Sequence, residues 1–161
     1  MLESVGWWVT QFGNYEVLLG IAAAYGLVVR GLDVRPLLLV WGAILLTTVL
    51  KGFFAVPRPP GAAVGGYAMP SGHATVSTVT YGLVAYLEEE RSIGPRVVVA
   101  ALLAGLIATS RVVIGVHYPA DVVAGLLLGA AYLAVGLAAW DVVDDIERVP
   151  STVATVRKRF S

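Results

Sequence analysis

The sequence contains no cysteine among its 161 residues, and only 14% of the residues are charged. The lack of cysteine excludes disulfides, thiolate nucleophiles and cysteine-ligated metals. The formal net charge is zero, so no basic field indicates binding to nucleic acid. The N-terminal stretch MLESVGWWVTQFGNYE lacks the basic region, apolar run and cleavage site of a removable signal peptide. Without internal repeats or polar linkers, the sequence predicts one domain over residues 1–161.

Long apolar runs are the main feature that the sequence does have. Hydrophobic residues make up 58% of the chain, which is above the usual content of soluble proteins and typical of a membrane protein. Five runs, at about 15–29, 37–50, 70–87, 97–110 and 119–140, suit transmembrane helices. We therefore predict an all-α integral-membrane bundle of about five transmembrane helices.

The first 14 residues are too short to span a bilayer and carry three large aromatic side chains, Trp7, Trp8 and Phe12. Aromatic rings settle at the membrane interface. We predict that residues 1–14 form an interfacial helix, and the alternative is a frayed start to the first span.

Five alternating spans bring the ends of the second and fourth to the same side as the beginnings of the third and fifth. The basic residues at the opposite ends are Arg30, Arg35, Arg91, Arg96, Arg148 and the cluster Arg157, Lys158 and Arg159. By the positive-inside tendency this side is cytoplasmic, including a tail over residues 145–161. The polar residues at the other ends of the spans then lie together on the extracytoplasmic side.

These gathered residues have the chemistry of a phosphoryl-transfer site. Lys51, Arg58 and Arg111 supply donors that suit a phosphoryl group. Ser71, as a helix N-cap, and Gly72 bring free backbone N–H groups, which favour anions. The set also contains two histidines and a carboxylate: His73, His117 and Asp121.

The two histidines suggest a division of chemical roles. Asp121 follows His117 by four residues, a spacing that lets the carboxylate hold one ring nitrogen while the other attacks phosphorus. His73 is placed to protonate the departing oxygen.

Other interpretations of the same residues exist. Each histidine alone fits a hydrogen-bonded interfacial residue, and Lys51 and Arg58 alone fit anchors at span ends. The sequence around Ser71, PSGH, alone fits a proline-led helix start. A metal site built from the two histidines and Asp121 is disfavoured, because the three basic residues would repel a cation.

Three motifs together resemble the type-2 phosphatidic acid phosphatase family, which is similar to vanadium-dependent haloperoxidases. They are KGFFAVPRP from Lys51, PSGH from Pro70 and the stretch from Ser110-Arg111 through His117 to Asp121. Residues 51–121 would form the catalytic core. The resemblance implies a helical-bundle lipid phosphatase with a phosphohistidine at His117, oriented by Asp121. It implies His73 as general acid and then base, and a phosphate held by Lys51, Arg58, Ser71, Gly72 and Arg111. No metal or other cofactor is implied.

We therefore expect an integral-membrane enzyme that hydrolyses a lipid phosphomonoester or diphosphate, of the polyprenyl diphosphate or phosphatidate and phosphatidylglycerophosphate type. Its expected partners are this lipid substrate and the bilayer, and nucleic acid is not expected. The oligomeric state is open. One alternative is a haloperoxidase-like enzyme that holds vanadate in the same pocket. The other is a non-catalytic membrane protein whose basic cluster docks anionic lipid headgroups.

Overall fold

The computed structural model describes the backbone of residues 2–159 and the side chains of residues 3–146. The described backbone forms helices and no strand. The helices are α1 (Leu2–Gln11), α2 (Tyr15–Ala24), α3 (Arg35–Phe54), α4 (Gly72–Glu88), α5 (Pro95–Val113) and α6 (Pro119–Arg159). A π-helical turn, Tyr25–Val29, continues α2 to the end of the predicted first span. These helices confirm the prediction of an all-α bundle.

Among the described residues, four helical segments are long and apolar enough to cross a bilayer, namely Glu3–Val29, Arg35–Phe54, Pro95–Val113 and Pro119–Ile146. The predicted third span corresponds to α4, which has 17 residues and many hydroxyl side chains. This helix lies at the centre of the bundle and packs against α2, α3, α5 and α6. Its neighbours therefore shield Thr75, Ser77 and Thr80, which are all buried.

Two glycines let α6 approach α4 closely. A Cβ built on Gly125 would lie 2.6 Å from the Ser71 carbonyl oxygen, and one on Gly129 would lie 2.6 Å from the Thr75 carbonyl oxygen. The spacing of four residues places both glycines on one face of α6, the arrangement that close membrane-helix contacts favour. This contact brings the N-terminal ends of α4 and α6 together.

The N-terminal helix α1 packs against α5. A Cβ on Gly6 would lie 3.0 Å from Ile114 Cγ2, and one on Gly13 would lie 2.5 Å from Ile107 Cγ2. Trp8, on the same helix, is 72% exposed. The interfacial position of residues 1–14 stays a prediction, since the structure contains no bilayer.

The loop between α3 and α4 is ordered by its own backbone, as the prolines and glycines predict. Ala55 ends α3 in the left-handed region, with φ 48°. The Ala68 N–H then donates to the Val56 carbonyl at 2.8 Å, which ties the two ends of the loop together. The Met69–Pro70 peptide bond is cis.

The opposite end of the bundle is held by ion pairs. Arg35 pairs with Asp33 and Asp144, and Arg91 pairs with Asp141 and Asp144. Arg35 also lies over the ring of Trp140, 4.3 Å from its centroid. The predicted cytoplasmic arginines Arg35 and Arg91 thus share one end of the bundle. The side chains of Arg148 and of residues 157–159 lie outside the described residues. The same holds for most side chains of the predicted tail.

Candidate active site

A cavity of about 290 Å³ lies where α3 and α5 end and where α4 begins. Six of the eight predicted site residues line it. They are Lys51, Arg58, Gly72, His73, Arg111 and His117. The other two, Ser71 and Asp121, are buried behind the wall of the cavity. The structure therefore brings together all three sequence motifs, which come from four different parts of the fold.

His117 is held by the first turn of α6. Its Nδ1 lies 3.3 Å from Asp121 Oδ2, and the same oxygen accepts the Tyr118 backbone N–H at 2.8 Å. Pro119 begins α6, a position where a missing N–H costs nothing. Because both side chains are buried, the imidazole and carboxylate are fixed against each other.

The second nitrogen of His117 faces a cation. Its Nε2 lies 3.3 Å from Arg58 Nη1. An arginine nitrogen only donates, so Nε2 accepts and the proton of the neutral ring lies on Nδ1, toward Asp121. Burial, together with the charges of Arg58, Lys51 and Arg111, lowers the pKa of His117 to about 3. The ring therefore stays neutral, with a lone pair on Nε2.

Loop carbonyls hold two of the cations. Lys51 Nζ donates to the carbonyls of Tyr67 and Ala68, at 2.9 and 3.3 Å. Arg58 donates from Nε to Gly65 O at 3.0 Å and from Nη1 to Val116 O at 2.8 Å. Burial lowers the pKa of Arg58. The proline- and glycine-rich loop thus aims both side chains into the cavity.

Two buried donors of the site have no hydrogen-bond partner among the described residues: Ser71 Oγ and Arg111 Nε. Ser71 occupies the N-cap position of α4 as predicted, but its hydroxyl makes no capping hydrogen bond. Its backbone N–H, which the sequence predicted to be free for an anion, instead donates to the Asp121 carbonyl at 2.9 Å and ties the starts of α4 and α6 together. Unpaired buried polar groups are costly, and at these two positions a bound ligand or water would provide the missing partner.

The N-terminal segment contributes three residues that the sequence analysis missed. Thr10 Oγ1 accepts a hydrogen bond from Arg111 Nη1 at 2.7 Å. Asn14 Oδ1 lies 3.1 Å from His73 Nε2. Tyr15 lines the cavity, and its ring centroid lies 6.0 Å from that of His73. The only sequence signal was the presence of polar residues in an otherwise apolar segment.

A second cavity, of about 410 Å³, adjoins the first and shares His73, Arg111 and Val64 with it. Its other wall comes from α1 and includes Trp7, Thr10 and Gln11. Over the described residues, no group of three or more His, Asp or Glu side chains could hold a metal ion. The charged side chains that line the two cavities are all basic, namely Lys51, Arg58 and Arg111.

The fold is that of a multi-pass membrane protein, with a cavity lined by Lys51, Arg58 and Arg111 at one end of the bundle. The family model of the PAP2 superfamily matches residues 34–143. The chain belongs to the PAP2 superfamily. Its structure is similar to the crystal structure of a transmembrane PAP2-type phosphatidylglycerolphosphate phosphatase from Bacillus subtilis, with a TM-score of 0.73 and 26% sequence identity. That similarity covers 87% of this chain and 77% of the other. No curated protein sequence matches the chain significantly. Together the family and the structural similarity support a membrane lipid phosphatase.

Proposed function

We propose that the protein hydrolyses a phosphomonoester or diphosphate of a lipid through a phosphohistidine at His117. The observation that carries this proposal is the opposed environment of the two His117 nitrogens. Asp121 accepts from one nitrogen, and the other presents its lone pair to a cationic cavity. A neutral, oriented imidazole of this kind is a nucleophile for phosphorus.

The donors around the cavity support binding of the phosphoryl group. Ser71 Oγ and Arg111 Nε are buried without partners within the described part of the chain. Lys51 and Arg58 add charge, and oxyanion oxygens are better acceptors for them than neutral loop carbonyls. Such donors stabilise the charge that develops on the equatorial oxygens in the transition state.

The proposed reaction has two halves. In the first, His117 Nε2 attacks phosphorus, the bond to the lipid oxygen breaks, and His73 gives that oxygen a proton. In the second, His73 takes a proton from water as the water oxygen attacks phosphorus. The phosphorus–nitrogen bond then breaks and its electron pair returns to His117, which releases inorganic phosphate.

Exposed apolar side chains beside the cavity support a lipid substrate. Phe53 is 79% exposed and Phe54 46% exposed at the end of α3, and Tyr67 and Val64 line the cavity. Apolar surface at the mouth of a cationic cavity suits a headgroup bound inside and a tail in the bilayer.

The test is release of inorganic phosphate by the purified protein in detergent, with a chelator present. Phosphatidylglycerophosphate, named by the structural relative, is compared with phosphatidate, diacylglycerol diphosphate and a polyprenyl diphosphate. We expect turnover of at least one lipid by the wild type and by Arg96→Ala, whose exposed arginine lies at the opposite end of the bundle. Arg111→Ala should be inactive.

The alternatives give different results in that assay. A protein that only binds anionic lipid releases no phosphate from any of the four lipids. A haloperoxidase-like enzyme requires vanadate and peroxide. Equal activity of Arg111→Ala and Arg96→Ala would indicate a contaminating phosphatase, and would overturn the proposal.

We also propose that the site faces the extracytoplasmic side, which the absence of cysteine makes simple to test. Ala63→Cys places a thiol on the exposed loop beside the cavity, and Ser92→Cys places one on the exposed connection at the other end. A membrane-impermeant maleimide should label only Ala63→Cys in intact cells and both variants after lysis. The reverse pattern would overturn the proposed orientation.

A further inference from the structure

Asn14 occupies the N-cap position of α2, with φ −67° and ψ 141°, yet its side chain makes no capping hydrogen bond. Asparagine at this position normally accepts a hydrogen bond from the first turn, which stabilises the helix. Here the side chain reaches across to α4 instead, where Asn14 Oδ1 lies 3.1 Å from His73 Nε2. The helix therefore forgoes its cap for a contact with a site histidine.

The direction of this hydrogen bond is set by a chain of donors that ends on the backbone. Gln11 Nε2 donates to the Trp7 carbonyl at 3.3 Å, so Gln11 Oε1 points the other way. That oxygen accepts from Asn14 Nδ2 at 2.7 Å. A backbone carbonyl only accepts, so reversing either amide would bring two acceptors together. Asn14 must present its oxygen to His73.

His73 therefore carries a proton on Nε2 in every state that keeps this bond. None of the described residues hydrogen-bonds its other nitrogen, Nδ1. The charged and titratable groups that line the cavity with the ring are Tyr15 from α2, Lys51 from α3, Arg58 and Tyr67 from the loop, Arg111 from α5 and His117. Asn14 thus supplies a neutral acceptor in a surrounding of donors and cations.

We propose that Asn14, oriented by Gln11, is a positioning residue that fixes the tautomer of His73 and reserves Nδ1 for the reacting oxygen. This inference rests on the proposed function. The negative charge of the bound phosphoryl group offsets the surrounding cations and lets the His73 ring take a second proton, on Nδ1. In the first half-reaction the ring gives this proton to the departing lipid oxygen while Nε2–H stays on Asn14. In the second half-reaction Nδ1, which now carries a lone pair, takes a proton from the attacking water. Without Asn14 the neutral ring is free to carry its proton on Nδ1, which would remove the base.

Three substitutions at Asn14 separate positioning from helix capping. Asn14→Ser keeps a good N-cap residue but is too short to reach His73. Asn14→Leu removes the acceptor, and Asn14→Asp keeps it. We expect Asn14→Ser and Asn14→Leu to lower kcat about 10- to 100-fold, the usual effect of removing a group that orients a site histidine. KM should change less than kcat, because Asn14 lines the adjoining cavity with Arg111 but not the cavity that also holds Lys51 and Arg58.

Asn14→Asp provides the rescue. Its carboxylate accepts the same hydrogen bond and favours the doubly protonated ring. We expect kcat near that of the wild type at neutral pH, with the alkaline limb of kcat shifted to higher pH by roughly one unit or more. A wild-type kcat and pH profile in Asn14→Ser would overturn the proposal, because the residue would then act only as a cap.

A spectroscopic measurement tests the tautomer without any turnover. The chain has two histidines, His73 and His117, so the imidazole nitrogens of ¹⁵N-histidine-labelled protein give two sets of signals, and His117→Ala assigns them. At pH 8 we expect His73 to show a protonated Nε2 and an unprotonated Nδ1, and to lose this preference in Asn14→Leu. A protonated Nδ1 in the wild type would overturn the proposal. If the wild type shows the expected tautomer but hydrolyses none of the lipids tested, the proposed function fails and only the assignment of the His73 tautomer to Asn14 stands.

Discussion

The Nδ1 atom of His117 lies 3.3 Å from Asp121 Oδ2, an oxygen that also accepts the backbone N–H of Tyr118 at 2.8 Å. The Tyr118 backbone N–H therefore fixes the position of the Asp121 carboxylate, which in turn orients the His117 imidazole. The backbone carbonyl of Asp121 also accepts a hydrogen bond from the Ser71 N–H at 2.9 Å. Asp121 thus links the proposed nucleophile to the start of α4, two residues before His73.

Asp121→Asn should lower kcat by about 10²- to 10⁴-fold while affecting KM less. The amide has no charge to stabilise the ring as it becomes phosphorylated. In addition, its NH₂ group can donate to Nδ1, which moves the ring proton to Nε2 and removes the lone pair. Steady-state kinetics on the preferred lipid measures this effect. An unchanged kcat would remove Asp121 from the mechanism.

Arg58→Lys tests whether a positive charge at this position of the loop is enough for full activity. Arg58 contacts Gly65 O, Val116 O and His117 Nε2 with two of its nitrogens, a geometry that a single ammonium group does not reproduce. We expect kcat/KM to fall at least about 10-fold, the equivalent of one or two charge-assisted hydrogen bonds. Wild-type kinetics in this variant would show that only the positive charge matters.

The lowered pKa of His117 makes stability depend on pH. The folded protein keeps the ring neutral down to about pH 3, whereas in the unfolded chain it binds a proton below about pH 6.5. The unfolded state therefore binds more protons in this window, and stability is lost as pH falls from about 6.5 toward 3. Between pH 7 and pH 5, the melting temperature in detergent should fall less for His117→Gln than for the wild type. Equal losses would contradict the buried neutral imidazole.

The contact of α6 with α4 predicts opposite effects at two helical glycines. A Cβ on Gly129 would lie 2.6 Å from the Thr75 carbonyl oxygen, whereas a Cβ on Gly105 in α5 meets nothing within 4 Å. Gly129→Ala should lower the melting temperature, because the helices must separate. Gly105→Ala should leave it unchanged or raise it, since alanine favours a helix by up to about 1 kcal/mol over glycine. Equal shifts would argue against the close approach.

The helices and the gathering of the motifs were predictable because each depends on local sequence. Apolar length predicted the spans, and alternation of the spans placed Lys51, His73 and His117 at one end. The motif residues lie at the ends of consecutive helices, and the order of those helices limits which ends can meet.

The contribution of the N-terminal segment was not predictable. Thr10 meets Arg111 across 101 positions, and Asn14 meets His73 across 59. Such contacts depend on how α1 packs on α5, and periodicity carries no information about that packing. The sequence predicted a helix cap at Ser71, and Asn14 also occupies an N-cap position, but the Asn14 side chain is used elsewhere and the Ser71 hydroxyl is left without a partner among the described residues.

The most direct test of the central claim is the kcat of His117→Ala for release of phosphate from the preferred lipid. Tyr118→Phe, which changes the neighbouring half-exposed side chain, serves as the control, and thermal unfolding checks that both variants fold. The account predicts a loss of at least about 10³-fold in His117→Ala, as expected for a missing nucleophile, and little change in Tyr118→Phe. A folded His117→Ala protein whose kcat stays within a factor of a few of the wild type would contradict it.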